Sequence, residues 1–170
     1  MKDQEAAYYD RVCQFPAGWS LLLVGILVLT VAVGPLTGQP MSPSDQVALV
    51  VTVGLLALTI LLMWRMRVVV TQERLTILWG FLQWLKIRID LKDVEAIRTV
   101  TFRPLRDFGG WGWRGGRGGS RCYNTSGNSG VELRIHGRAV ILGVPDPAEL
   151  ASVVATVTGI KQGPPGPFTG

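Results

Sequence analysis

Residues 17–64 read AGWSLLLVGILVLTVAVGPL (17–36), TGQPMSPSDQ (37–46) and VALVVTVGLLALTILLMW (47–64). Neither outer run contains a charged residue. A bilayer core about 30 Å thick is crossed by roughly 20 apolar residues in a helix, so the two runs predict a transmembrane helical hairpin joined by a short polar connector. Gly34-Pro35 stops the first helix, because proline carries no amide donor and clashes with the preceding turn. Trp19 and Trp64 fall where aromatic belts form. Gly25, Gly54, Ala57 and Thr59 are small enough to let the two helices approach closely.

Charge orients this hairpin. Lys2 and Arg11 precede it, Arg65 and Arg67 follow it, and the connector has no Lys or Arg. The positive-inside rule then places both termini on the cytoplasmic side. The expected layout is a cytoplasmic segment over 1–16, helices over 17–36 and 47–64, an extracytoplasmic connector over 37–46, a cytoplasmic domain over 65–159 and a disordered tail over 160–170. The first segment can form a short helix, with Tyr8, Val12 and Phe15 at helical spacing. A cleaved signal peptide is the competing reading, but its n-region would be long and hold Asp3, Glu5 and Asp10. Neither apolar run carries an ionisable side chain of the sort that transporters and proton relays use, so the hairpin reads as an anchor.

The chain has 170 residues, 17 Lys and Arg against 12 Asp and Glu, and a net charge of +5. From Arg65 onward there are 15 basic residues against 8 acidic ones, so the surplus of +7 lies in the C-terminal domain. A basic domain fits anionic headgroups, acidic protein surfaces or nucleic acid. Two cysteines, Cys13 and Cys122, are too few for a disulfide framework. With His136 as the only histidine, a His/Cys metal site is not expected, nor is any cofactor.

After Trp64 the apolar period shortens to two. Arg65–Thr71 is rich in β-branched residues, Leu75, Ile77 and Trp79 share one face, and Leu85, Ile87, Ile89 and Leu91 share another. Val94–Phe102 follows, then Val131, Leu133 and Ile135, with Arg138–Val144 pairing back after the turn at His136-Gly137. Six or so short strands with hairpin-length turns predict an antiparallel sheet curled into a small barrel or sandwich. Asp146-Pro147-Ala148-Glu149 then gives an N-cap, a proline at the first helical position and a capping-box Glu. Leu150, Val153, Val154 and Val157 make one apolar helical face and Gly159 ends it. The tail, QGPPGPFTG, is too rich in Pro and Gly to predict structure.

The segments RVVVTQERLTI (67–77), IDLKDVEAI (89–97), FGGWGWR (108–114), YNTSGNSGVELRIHGRAVILG (123–143) and PDPAEL (145–150) carry a resemblance. Together with the hairpin, they resemble small membrane-anchored bacterial proteins with pleckstrin-homology-like domains, an uncharacterised actinobacterial-type family. The resemblance implies an α+β chain: a two-helix transmembrane hairpin, then a bent antiparallel barrel of seven strands capped by one C-terminal helix. It implies no enzymatic activity. It carries no ligand over, because no phosphoinositide motif maps onto these residues and fold alone does not fix function.

The stretch RPLRDFGGWGWRGGRGGSR (103–121) is the most unusual one outside the apolar runs, with five arginines, two tryptophans, seven glycines and one acid. Arginine gives bidentate contacts to phosphate and carboxylate, tryptophan suits a membrane interface, and glycine lets backbone amides approach an anion. The candidate lipid- or partner-binding residues are Arg65, Arg67, Arg103, Arg106, Trp111, Trp113, Arg114 and Arg117. The plainer alternative is a glycine-rich connector with Phe108, Trp111 and Trp113 packed onto the barrel. Two Arg-Gly-Gly repeats are a weak nucleic-acid signal, and there is no P-loop.

Asp93 and Glu95 share a face if they lie on one strand, but Arg88 and Lys92 nearby make a solvated turn the better reading. Arg121 beside Cys122 would lower a thiol pKa, whereas a small buried residue is the simpler role. No catalytic constellation of nucleophile, base and orienter is visible. The functional expectation is a non-catalytic protein of the bacterial inner membrane that presents a basic binding domain to anionic lipid or a protein partner. The alternative is a homo-oligomeric membrane scaffold or an accessory subunit of a larger membrane complex.

Overall fold

The computed structural model describes residues 8–14, 25, 26, 29, 42–63, 65–80, 82, 83 and 85–169. Among the described residues the chain is α+β, with ten strands and three helices. Its elements are β1 (Tyr9–Gln14), α1 (Pro43–Met63), β2 (Arg65–Val70), β3 (Arg74–Trp79), β4 (Leu85–Asp90), β5 (Val94–Thr101), α2 (Pro104–Phe108), β6 (Gly112–Gly115), β7 (Arg121–Asn124), β8 (Ser129–Ile135), β9 (Arg138–Gly143), α3 (Pro147–Thr158) and β10 (Gly166–Pro167).

The strands form two sheets. The first is an antiparallel meander in the order β1-β2-β3-β4. The second has the order β10-β5-β8-β9-β7-β6. Alternation along β2 and β3 buries Met66, Val68, Val70, Leu75, Ile77 and Trp79. These pack against Ile97, Val131, Leu133 and Leu142 of the second sheet and against Leu150, Ala151 and Val154 of α3 in one core. Asp146 caps α3, its Oδ1 accepting from the Glu149 amide at 3.0 Å, and Gly159 at φ 72° ends it. A second, smaller core lies on the opposite face of the second sheet, where Val100, Phe102, Cys122 and Ile141 pack with Phe108 of α2.

The expected barrel is corrected to two open sheets. No strand of the first sheet pairs with one of the second among the described residues. The physical reason lies in the segment between β5 and β8. It contributes β7, which pairs parallel to β9 and occupies the edge that closure would need, and β6 then extends that edge. Among the described residues the β4 edge is left open. The tail also differs from expectation. Gly166 and Pro167 pair in parallel with Val100 and Thr101, and Phe168 packs on Phe108 with ring centroids 5.2 Å apart.

The expected transmembrane hairpin is corrected as well. The run 17–36 lies outside the described residues except for Gly25, Ile26 and Leu29, which are helical. The second run lies in α1, which Ser42 and Asp45 start with a reciprocal cap: the Asp45 amide donates to Ser42 Oγ at 3.2 Å and the Ser42 amide to Asp45 Oδ2 at 3.2 Å. Among the described residues no helix is long and apolar enough to cross a membrane. The expected N-terminal helix is β1 instead, where Tyr9 and Cys13 face the core opposite Val70 and Met66.

Candidate functional site

The eight residues singled out from sequence do not converge on one site. Arg65 and Arg67 lie on the outer face of the first sheet. Arg103, Arg106, Trp111, Trp113, Arg114 and Arg117 belong to the 103–121 excursion that flanks and covers the second sheet. Both readings of that excursion meet part of the geometry. Phe108 is buried in the smaller core and Trp111 is half-buried. Trp113 is 52 % exposed and stacks on Tyr123 with centroids 6.3 Å apart. Arg114 turns back on its own segment, its Nε donating to the Trp111 carbonyl at 2.9 Å. Arg103 and Arg106 are exposed and border a cleft of about 720 Å³ under the C-terminal strand, shared with Asp107 and Phe168. Arg117 opens a short 3₁₀ turn, Arg117–Gly119.

The outer face of the first sheet is the more coherent basic surface. Strand alternation sends Arg65 and Arg67 of β2, Arg74 of β3, and Lys86 and Arg88 of β4 away from the core. Two carboxylates on the same face, Asp10 and Asp90, are both engaged. Asp10 accepts from Arg67 Nε at 2.6 Å and also from its Nη2. Asp90 accepts from Arg74 Nε at 3.0 Å. The Arg67 guanidinium holds the Asp10 carboxyl below its ordinary range, mainly by hydrogen bonding. Arg65, Lys86 and Arg88 are then the uncompensated charges of the face. Arg65 Nε is buried and has no acceptor among the described residues. Register places Lys86 and Arg67 on either side of Leu78.

The end of the sheet that holds Arg65 and Lys86 is also apolar on its surface. Leu82, in the β3–β4 turn, is 70 % exposed and Leu85 is 38 % exposed. Helix α1 ends next to Arg65. Its Val47, Val50, Val51, Leu55 and Leu58 are all exposed. Sequence reasoning found Arg65 and Arg67 but passed over Lys86 and Arg88. The signal was present, because both occupy outward positions in an alternating strand.

Groups that suggested chemistry are placed apart. Glu95 Oε2 accepts from the Gly137 amide at 3.2 Å, and Asp93 lies 4.0 Å from His136 Nε2, so both acids brace the β8–β9 turn. Cys122 is buried, and burial pushes its thiol up to about 12, the opposite of activation. Among the described residues no group of three or more His, Cys, Asp or Glu is placed to hold a metal.

No family model, curated protein or solved structure matches the chain. The resemblance to bacterial membrane-anchored pleckstrin-homology-like proteins is corrected on that ground, on the open sheets, and on the finding that no helix among the described residues is long and apolar enough to cross a membrane. Neither that family nor a bacterial source is shown.

Proposed function

We propose that this chain is a non-catalytic binding module that docks the outer face of its four-stranded sheet on anionic lipid headgroups. The supporting observation is the coincidence of Arg65 and Lys86 with exposed Leu82 and Leu85 at one end of that sheet, with Arg88 next along β4 on the same face as Lys86. A boundary that is anionic at its surface and apolar just beneath meets both kinds of side chain. Each Lys or Arg near an anionic leaflet contributes about 1 kcal/mol, and exposed leucines add apolar burial at the headgroup level. An acidic protein surface would satisfy the charges but leave the leucines in water.

Self-assembly through the open β4 edge is the second reading. Lys86 and Arg88 oppose it, because an edge strand that pairs with its own copy brings these like charges together.

The test is co-sedimentation of the full chain with neutral phosphatidylcholine vesicles and with vesicles that also contain phosphatidylserine. Preference for the anionic vesicles should fall with salt and drop by about a hundredfold in R65E/K86E/R88E, as three contacts of about 1 kcal/mol require. Equal binding to both vesicle types, or an unchanged preference in the triple variant, sinks the reading.

A further inference from the structure

We propose that the opening between the two sheets is a binding cleft for a single-chain anionic amphiphile, an alkyl or acyl chain ended by a carboxylate or phosphate. The cleft lies between the free β4 edge and strands β7, β8 and β9, and has a volume of about 560 Å³. That is within the roughly 300–1,000 Å³ of ligand pockets. Its floor is the exposed margin of the main core. Ile87, Ile89, Ile135 and Val140 pack on that core but stay only partly buried, and all four line this opening. The apolar strand side chains that two open sheets leave half covered are thus gathered in one place.

The rim supplies the headgroup chemistry. Arg121 and Arg138 border the cleft, with Arg88 turned to the outer face of the adjoining β4 edge, and none of the three has an ion-pair partner among the described residues. Two carboxylates also border it, but Asp90 is held by Arg74 and Asp93 faces His136. One acid is thus paired, and Arg121 and Arg138 leave the rim net positive beside Asp93. The stem of Arg138 runs along Gly119, whose φ of +75° favours glycine. Guanidinium groups take carboxylate or phosphate bidentately, and an apolar floor beneath them takes a chain. A free anion alone would leave that floor wet.

Calorimetric titration of the full chain with dodecyl phosphate, dodecanoate, dodecanol and inorganic phosphate, each below its micelle-forming concentration, tests the cleft. Dodecyl phosphate or dodecanoate should bind at least tenfold more tightly than dodecanol and than inorganic phosphate. R121E/R138E, both surface changes, should weaken that binding at least tenfold, and Val140→Trp, which fills the floor, should do the same. R65E/K86E should leave it unchanged, which separates this cleft from the outer-face reading above. Equal affinity for dodecanol, equal affinity for inorganic phosphate, no binding of either anionic amphiphile, or undiminished binding in R121E/R138E would each overturn the proposal.

Discussion

Glu132 is 2 % exposed, and Arg98 meets it across β5–β8 with Nη2 donating to Oε2 at 2.6 Å and Nε to the same oxygen at 2.9 Å. Arg134 stands farther off, at 3.7 Å. Removing one partner of a buried pair strands a charge and costs about 3–5 kcal/mol. Here Arg98 is 31 % exposed and Arg134 offers partial replacement. Arg98→Met should therefore lower stability by about 2–3 kcal/mol, below that range. Urea denaturation measures it, and R98M/E132L should recover most of the loss because no unpaired charge remains.

Gly130 sits opposite Gly143 in the β8–β9 ladder. A Cβ on Gly130 would fall 2.3 Å from the Leu142 carbonyl oxygen, a backbone atom that cannot swing away. A Cβ on Gly143 would fall 2.3 Å from Asn124 Oδ1. Asn124 is fully buried, accepts from the Ser126 amide at 2.9 Å and donates to the Gly127 carbonyl at 3.2 Å. Gly130→Ala should cost about 1–3 kcal/mol by overpacking, visible as a lower melting temperature. Gly143→Ala should instead loosen the 124–128 turn, with faster amide exchange at Ser126.

The strands β2, β3, β8 and β9 and the helix α3 were legible because each writes its own period. Leu75, Ile77 and Trp79 are all buried, as their alternation requires. What local pattern could not convey is which face water reaches. Glu132 alternates with Val131 and Leu133 and so reads as solvent-facing, yet its side of the sheet is buried. β1 was missed for a related reason: its partner β2 lies across α1 in the sequence, so nothing near Tyr9–Gln14 signals the pairing. The basic outer face was half legible, since it is assembled from β2, β3 and β4 and only their register brings Arg67 and Lys86 around Leu78.

Burial pushes the Cys13 thiol up to about 11 and the Cys122 thiol and the Tyr9 hydroxyl up to about 12. Such groups bind their protons more tightly folded than unfolded. Their contribution to stability is complete below the unfolded values, about 8.5 for cysteine and 10 for tyrosine, and is lost as pH rises toward the folded ones. Stability should therefore decline from about pH 9 upward, and C13A/C122A should flatten the first part of the decline. At pH 8 neither thiol should react with a disulfide reagent in the native protein, and both should react in denaturant.

The C-terminal strand is held by few contacts. The Gly163 amide donates to the Ile97 carbonyl and the Phe168 amide to the Thr101 carbonyl, both at 2.8 Å. Phe168 closes the aromatic set with Phe108, which in turn meets Phe102 edge-on at 6.0 Å. An aromatic pair adds about 0.5–1.5 kcal/mol beyond its area. Phe168→Ala should cost about that amount globally, and it should selectively speed hydrogen exchange at the Phe168 amide while β8 and β9 stay protected.

The start of α3 separates a cap from a surface ion pair. The sequence PDPAEL suggests a reciprocal capping box, but only half of it forms. Asp146 Oδ1 accepts from the Glu149 amide at 3.0 Å, whereas the Glu149 carboxylate turns to Arg11 of β1, at 3.1 and 3.2 Å. Both partners of that pair are exposed, Arg11 by 60 % and Glu149 by 38 %. An N-cap contributes about 1 kcal/mol because it satisfies a helix amide left without a partner. An exposed ion pair contributes about 0.2–1 kcal/mol and is screened by salt. Asp146→Ala should thus destabilise by about 1 kcal/mol at any ionic strength. Glu149→Ala should cost a few tenths of a kcal/mol at low salt and nothing measurable near 1 M, where the Debye length falls to about 3 Å. Chemical denaturation of both variants at low and high salt distinguishes the two roles. A Glu149 effect as large and as salt-independent as that of Asp146 would mean that the full capping box forms in solution.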